Sequence, residues 1–225
     1  MTYLALFTAW GSYNYVYGDP AAFGPYFHDK YVAHLTLVRC HAVGAVISLA
    51  IGPFQFWPWL RRRARRLHRA AGIAYLSGIA VAAPTGLAMG VVAYGGPLAQ
   101  VGFSVMAVLW LGSGALAYRA ASRRQFVEHE RHMVRNYALT FGAVLVRLYL
   151  ALAMRAGLPF EQVYPFISWL SWVPTLILAE LLFVRSNRNY QQEIFSGTGG
   201  TCAVSQPRPD RVNPLRRINP ESGEF

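Results

Sequence analysis

The chain has 225 residues, of which 54% are hydrophobic, 14% aromatic and only 14% charged, against about 25% charged in a soluble domain, so a water-soluble protein is excluded. Its formal charge of +11 comes from 20 arginines and one lysine gathered in short loops between apolar runs, the pattern of cytoplasm-facing membrane loops and not of a nucleic-acid surface. Its two cysteines, Cys40 in an apolar run and Cys202 in a polar tail, build neither a disulfide framework nor a paired-cysteine metal site.

Taken in chain order, the apolar runs predict about six membrane spans: Thr2 to Tyr17, Tyr31 to Trp57, Leu67 to Tyr94, Leu98 to Tyr118, Met133 to Met154 and Tyr164 to Val184. Each later run is long enough as a helix to cross about 30 Å of hydrocarbon. The first is short and interrupted by glycine, so it is expected to be tilted, truncated or interfacial. It lacks a basic leading region and a small-residue cleavage site, so no cleavable leader is expected. Gly95-Gly96-Pro97 and Gly157-Leu158-Pro159 are breakers that force antiparallel neighbours. Pro53 and Pro84 are expected to kink their helices, with Pro174 a third candidate.

Charge sets the expected topology. Arg61, Arg62, Arg63, Arg65, Arg66 and Arg69 follow span two, Arg119, Arg123, Arg124, Arg131 and Arg135 surround the loop after span four, and Arg185 and Arg188 follow span six. The other face receives little beyond Lys30 and Arg155. This asymmetry predicts a bacterial inner membrane location with both termini in the cytoplasm. Trp57 and Trp59 suit an interfacial belt, as do Trp169 and Trp172, for which core packing is an equal reading. From residue 186 onward Asn, Gln, Gly, Pro and Arg dominate, so a disordered cytoplasmic tail (186–225) is expected after a helical bundle (1–185). The fold class is therefore an all-α polytopic membrane bundle.

Ionisable side chains at membrane depth are costly, by about 2.5 to 3.5 kcal/mol on insertion scales, and each needs a reason. One group lies toward the arginine-rich face: His68 at the start of span three, His129 and His132 before span five, and Glu180 in span six. The three-residue spacing puts His129 and His132 on one side of a helix. Three imidazoles and a carboxylate suit a transition metal, and two histidines on separate helices suit haem iron. Equally, the histidines are ordinary headgroup neighbours and Glu180 pairs with Arg135 or another loop arginine. A zinc hydrolase is a lesser variant, because His129-Glu-Arg-His132 lacks the spacing of a helical HExxH box.

A second group lies in the opposite half. His34 and His41 are seven residues apart and share a face of span two, and Arg147 stands on span five. Seven residues is about 10 Å of helix, which puts Arg147 about that far below its end. Glu180 is in the other leaflet, so Arg147 needs carbonyls, a tyrosine, a route to the headgroups, or an anionic ligand. Gln55, near the end of span two, either satisfies carbonyls freed by Pro53 or binds a polar ligand.

Several runs carry a family resemblance: His41-Ala-Val-Gly44, Gly52-Pro-Phe-Gln-Phe56, His68-Arg-Ala-Ala-Gly72-Ile-Ala-Tyr75, His129-Glu-Arg-His132-Met-Val-Arg135-Asn-Tyr137-Ala-Leu-Thr-Phe141, Arg147-Leu-Tyr149, Trp169-Leu-Ser-Trp172-Val-Pro174 and Ala179-Glu180. From about His34 to Glu180 the chain resembles the predicted membrane proteins known as domain of unknown function 2306. That resemblance implies a membrane bundle and no particular activity. More loosely, the chain resembles the b561-type membrane cytochromes, whose histidines on alternate helices clamp haem. By that likeness His68 and His132 would hold one haem, while span four offers no histidine for a second.

Three functions are expected as alternatives. The first is an oxidoreductase or electron-transfer protein that binds haem b or another metal through His68, His129 and His132. In it, His41, Arg147, His34 and Gln55 form a site for a quinone or an anionic small molecule. The second is a small proton-linked transporter using His41, Arg147 and Glu180. The third is a non-catalytic assembly subunit that contacts other membrane proteins and the lipid bilayer. No nucleic-acid partner is expected.

Overall fold

The computed structural model describes residues 2–17 and 26–183, which fall in one unit, Met1–Val184. The tail expected from 186 onward lies outside the described residues. The first apolar run is not one helix but two short ones, α1 (Thr2–Gly11) and α2 (Tyr13–Val16), separated by Ser12. Ten residues rise only about 15 Å, so α1 is a half-length element, in keeping with its glycine-broken sequence. Then come α3 (His28–Ala33), α4 (Leu35–Gln55), α5 (Pro58–Arg63), α6 (Arg65–Val91), α7 (Gly96–Ser122), α8 (Phe126–Arg155) and α9 (Phe160–Leu170). After a turn at 171–172 the helical path of α9 resumes, giving a 24-residue stretch, Phe160–Phe183.

Among the described residues, five helical stretches are long and apolar enough to cross a bilayer: α4, α6, α7, α8 and Phe160–Phe183. The chain is an integral membrane protein of helical class. Large apolar side chains such as Val81, Val108, Leu152 and Ile177 face outward; in water they would be a liability, but against acyl chains they are ordinary. The turns are those the breakers require. Gly95 (φ 92°), Gly96 (φ 72°) and Gly157 (φ 73°) adopt left-handed backbone that only glycine enters cheaply; Pro97 follows Gly96 directly, and Pro159 follows Gly157 after Leu158.

Helices α4, α6, α7 and α8 pack in sequence, each against the next, and α8 returns to α4 to close the group. Helix α9 lies against α7 and α8, while α1 lies against α4 and α8. Ala5 and Ala9 of α1 meet Leu49, Phe141 and Val144, and Ser12 meets Arg147. Helix α1 therefore runs in the same direction as α8 and covers the bundle from about its middle, at Leu49 and Phe141, toward the end remote from the arginine-rich face.

Contact is closest between α4 and α6. A β-carbon on Gly78 would lie 2.5 Å from Ser48 Oγ and 2.6 Å from the Gly44 carbonyl oxygen, and one on Gly44 would strike the Gly78 carbonyl. Only two glycines facing each other permit this approach, and small residues are how membrane helices, which gain nothing from hiding apolar surface, find attractive contact. The buried Ser48 hydroxyl stands between the carbonyls of Gly44 (2.9 Å) and Tyr75 (3.0 Å), tying the helices together. Gly44→Leu should force α4 and α6 apart and destabilise the bundle by about 1–3 kcal/mol or more. Unfolding monitored in detergent is the check, and a variant as stable as the parent would show that the contact carries no weight.

Candidate functional site

A cavity of about 360 Å³ lies in the half of the bundle remote from the arginine-rich face. It brings together His34, His41 and Arg147, three of the four residues expected to bind a ligand. The fourth, Gln55, is at the other end of α4. Its Oε1 lies 3.4 Å from where a β-carbon of Gly72 would stand, and its buried Nε2 has no partner.

Each polar group of the cavity is held by an identifiable local cause. His41 points its Nδ1 at the Ala82 carbonyl of α6, 2.8 Å away. A carbonyl only accepts, so Nδ1 is the donor in this contact. The imidazole turns its Cε1–Nδ1 edge to Gly86, where an added β-carbon would stand 2.9 Å from both atoms. Arg147 donates from Nη1 to its own helix at Ala143 O (2.9 Å) and from Nη2 to Ser12 Oγ (3.0 Å). Ser12 in turn donates to Thr8 O at 2.8 Å, which leaves its lone pairs for the guanidinium. Both partners of Arg147 are neutral. Among the described residues no carboxylate pairs with it, whereas Arg61, Arg131 and Arg135 have Glu130, Glu128 and Glu180. Lys30 Nζ donates to Val92 O at 2.8 Å. The Tyr31 phenol is held above its ordinary value by burial, with Tyr15 adding to the shift and Arg147 opposing it; it stays a neutral hydroxyl.

Sequence reasoning missed Ser12, Tyr31 and the floor of the cavity. That floor is a polar network on three helices. Tyr75 Oη donates to Asn136 Oδ1 (2.6 Å) and lies 2.9 Å from Thr140 Oγ1, and Trp110 Nε1 donates to Thr140 Oγ1 (2.9 Å). Asn136 Nδ2 donates to Trp110 O (2.7 Å) and Ser113 Oγ (2.9 Å), and Thr140 donates to Asn136 O (2.9 Å). Tyr75 and Asn136 have no exposed surface. The available signal was the i, i+4 spacing of Asn136 and Thr140 on the face of α8 that also presents Arg147.

Toward the arginine-rich face, Glu180 grips Arg135 as a fork: Arg135 Nε donates to Oε1 and Nη2 to Oε2, the latter at 2.9 Å. Arg135 also lies over the Phe183 ring. The carboxylate thus takes its ion-pairing role. His129 donates from Nδ1 to Ala117 O at 2.9 Å. His68 has a buried Nδ1 without a hydrogen-bond partner and lies within electrostatic reach of His129, as does His132. Among the described residues, no group of three or more His, Cys, Asp or Glu side chains is placed to hold a metal ion. His68, His129, His132 and Glu180 are thus not gathered into one four-ligand set, because Glu180 is turned to Arg135. Trp57 and Trp59 are exposed beside the arginines of α5, as an interfacial belt requires, whereas Trp172 is buried in the core.

The fold and cavity define a class: a polytopic α-helical membrane protein with a polar-mouthed cavity between its spans. The family model described as predicted membrane protein DUF2306 matches residues 38–183, most of the described bundle, and the chain belongs to that family. Neither the curated proteins nor the solved structures give a match.

Asn136→Leu should cost about 2 kcal/mol, three lost hydrogen bonds at about 0.6 kcal/mol each in a membrane interior. Denaturant unfolding of the reconstituted protein measures it. A loss below a few tenths of a kcal/mol would mean that the network is incidental.

Proposed function

We propose that this protein binds a small anionic or acceptor-bearing molecule in the cavity, with Arg147 as the anchoring group. One observation carries the reading: a guanidinium about 12 Å of helix below the end of α8 has two neutral acceptors and, among the described residues, no carboxylate. A positive charge at membrane depth is stabilised by an opposite charge, and the five donors of arginine leave several free to meet an anion in parallel. The neighbours agree with this sign. Lys30, His34 and several tyrosines line the same cavity, and among the described residues no Asp or Glu does. His41 adds an imidazole to the lining, with Nε2 as the ring nitrogen not engaged by Ala82 O. If the arginine-rich face is cytoplasmic, the cavity lies in the outer leaflet half.

The test uses the protein in phosphatidylcholine nanodiscs with benzoate and a short-chain benzoquinone as probes, read by thermal stabilisation. Wild type should be stabilised in a saturable manner by at least one of them. Arg147→Ala should weaken that binding tenfold or more, and Arg147→Lys should fall between, since lysine keeps the charge and loses the fork. Equal binding to wild type and Arg147→Ala would overturn the reading.

A second reading, electron transfer through a haem bound by two of His68, His129 and His132, has one observation in favour. The Ala117 carbonyl orients the His129 ring through Nδ1, in the manner of an outer-shell carbonyl behind a metal-ligating imidazole. Protein produced with ample haem should then show a Soret band that His68→Ala or His129→Ala removes. A bare spectrum together with metal far below one equivalent would dispose of it.

A further inference from the structure

The chemistry of the cavity changes along its length, and that change bears on the shape of its occupant. At the mouth are Lys30, Tyr31, His34 and Arg147; seven residues down α8, about 10 Å deeper, the floor is Trp110 and Thr140. Between them the walls are mostly apolar, with Leu37, Val38, Met89 and Met106 among them and His41 as the polar exception. The floor carries polar atoms, but they are already engaged: Trp110 Nε1 donates to Thr140 Oγ1 and Thr140 donates to Asn136 O. A second polar group on a ligand would lose its hydration there without gaining a partner.

Resting on the anion-binding reading of Arg147, we infer that the natural occupant is a single-chain amphiphile with a carboxylate head, of the fatty-acid class, bound with the head at Arg147 and the chain pointing toward Trp110. Such a molecule lies in the bundle as it would in the leaflet, acid at the polar level and chain toward the mid-plane. It therefore enters without inverting. A volume of about 360 Å³ is at the lower end of the usual range for ligand cavities, about 300 to 1,000 Å³, and suits one chain. The apolar contacts give little preference over lipid, where the chain is equally well solvated. Selectivity therefore comes from the head, and a neutral alcohol of the same length has no advantage over the bilayer.

The floor supplies its own reporter. The protein in phosphatidylcholine nanodiscs is titrated with dodecanoate brominated at the chain end, dodecanoate brominated beside the carboxylate, and chain-end brominated dodecanol. The Trp110 signal is taken as the difference between wild type and Trp110→Phe. The chain-end brominated acid should quench Trp110 saturably, at least three times more than the head-brominated acid, and Arg147→Ala should remove the saturable part. The alcohol should quench weakly and without saturation. If Trp110→Phe does not fold, calorimetry of plain dodecanoate against dodecanol on wild type and Arg147→Ala gives the same answer, with an Arg147-dependent heat expected from the acid alone. Stronger quenching by the head-brominated acid, or equal binding of acid and alcohol, overturns the inference. Arg147-dependent stabilisation by benzoate with no saturable binding of either dodecanoate would reject the amphiphile and leave the anion site standing. Failure of all these probes would reject both.

Discussion

The backbone contact of α4 with α6 at Gly44 and Gly78 governs where most of the buried polar groups stand. With no side chain between them at this level, the two helices are held at one separation and one register, secured by Ser48 against the carbonyls of Gly44 and Tyr75. That register puts His41 opposite Ala82 and over Gly86, one to two turns toward the cavity mouth. In the other direction it puts the Tyr137 ring against Gly52. Helix packing in lipid lacks the drive of water exclusion, so contact geometry of this kind decides where each functional group ends up. A wider α4–α6 spacing would break the His41 to Ala82 bond, and with it the orientation of the His41 ring in the cavity wall.

The network beneath the cavity is a seal and not a conduit. Tyr75 commits its proton to Asn136 Oδ1, because that oxygen only accepts, and the Asn136 Nδ2 group donates to Trp110 O and Ser113 Oγ. A carboxamide does not readily pass a proton on, and Thr140 donates to a main-chain carbonyl. Every member is satisfied, which is the condition under which a buried polar network adds rigidity and avoids strain. The cavity therefore ends on a fixed floor at mid-bundle. This bears on the transporter alternative, since a path through this point would have to break several of these bonds.

How legible each part was depends on the range of the interactions involved. Apolar length, the arginine-rich loops and the glycine-proline breakers are local properties, and the helices and turns were readable from them. The convergence of His34, His41 and Arg147 was also within reach, because helical spacing and depth are arithmetic once the spans are known. The partner of Arg147 was not. Ser12 is 135 residues away in sequence, in a segment whose weak pattern did not reveal that it would break into α1 and α2. Gln55 shows the converse limit. Its place near a proline-bearing helix end was plain, but which end of the bundle held the cavity depended on packing. The sequence offers Glu180 several loop arginines besides Arg135, and only the rotation of Phe160–Phe183 about its axis selects between them.

The distribution of counter-charges gives the cavity its character. Near the arginine-rich face, cations and carboxylates are matched at close range: Arg61 with Glu130, Arg131 with Glu128, Arg135 with Glu180. All three pairs are partly exposed, so their worth lies in orienting loops and helix ends more than in stability. In the opposite half the described carboxylates include Asp29, beside Lys30 in α3, and Glu161, which lies against Tyr26 and pushes its phenol up; neither lines the cavity. Arg147 is thus left with a serine and a carbonyl in a cavity that holds a second cation, two imidazoles and neutral phenols. Had the sequence used Arg147 only to brace the short α1 against α8, a neutral donor would have met Ser12 at far less desolvation cost. A guanidinium in that position adds a field that the hydrogen bond to Ser12 does not need, and that field favours an anion seated at the mouth of the cavity.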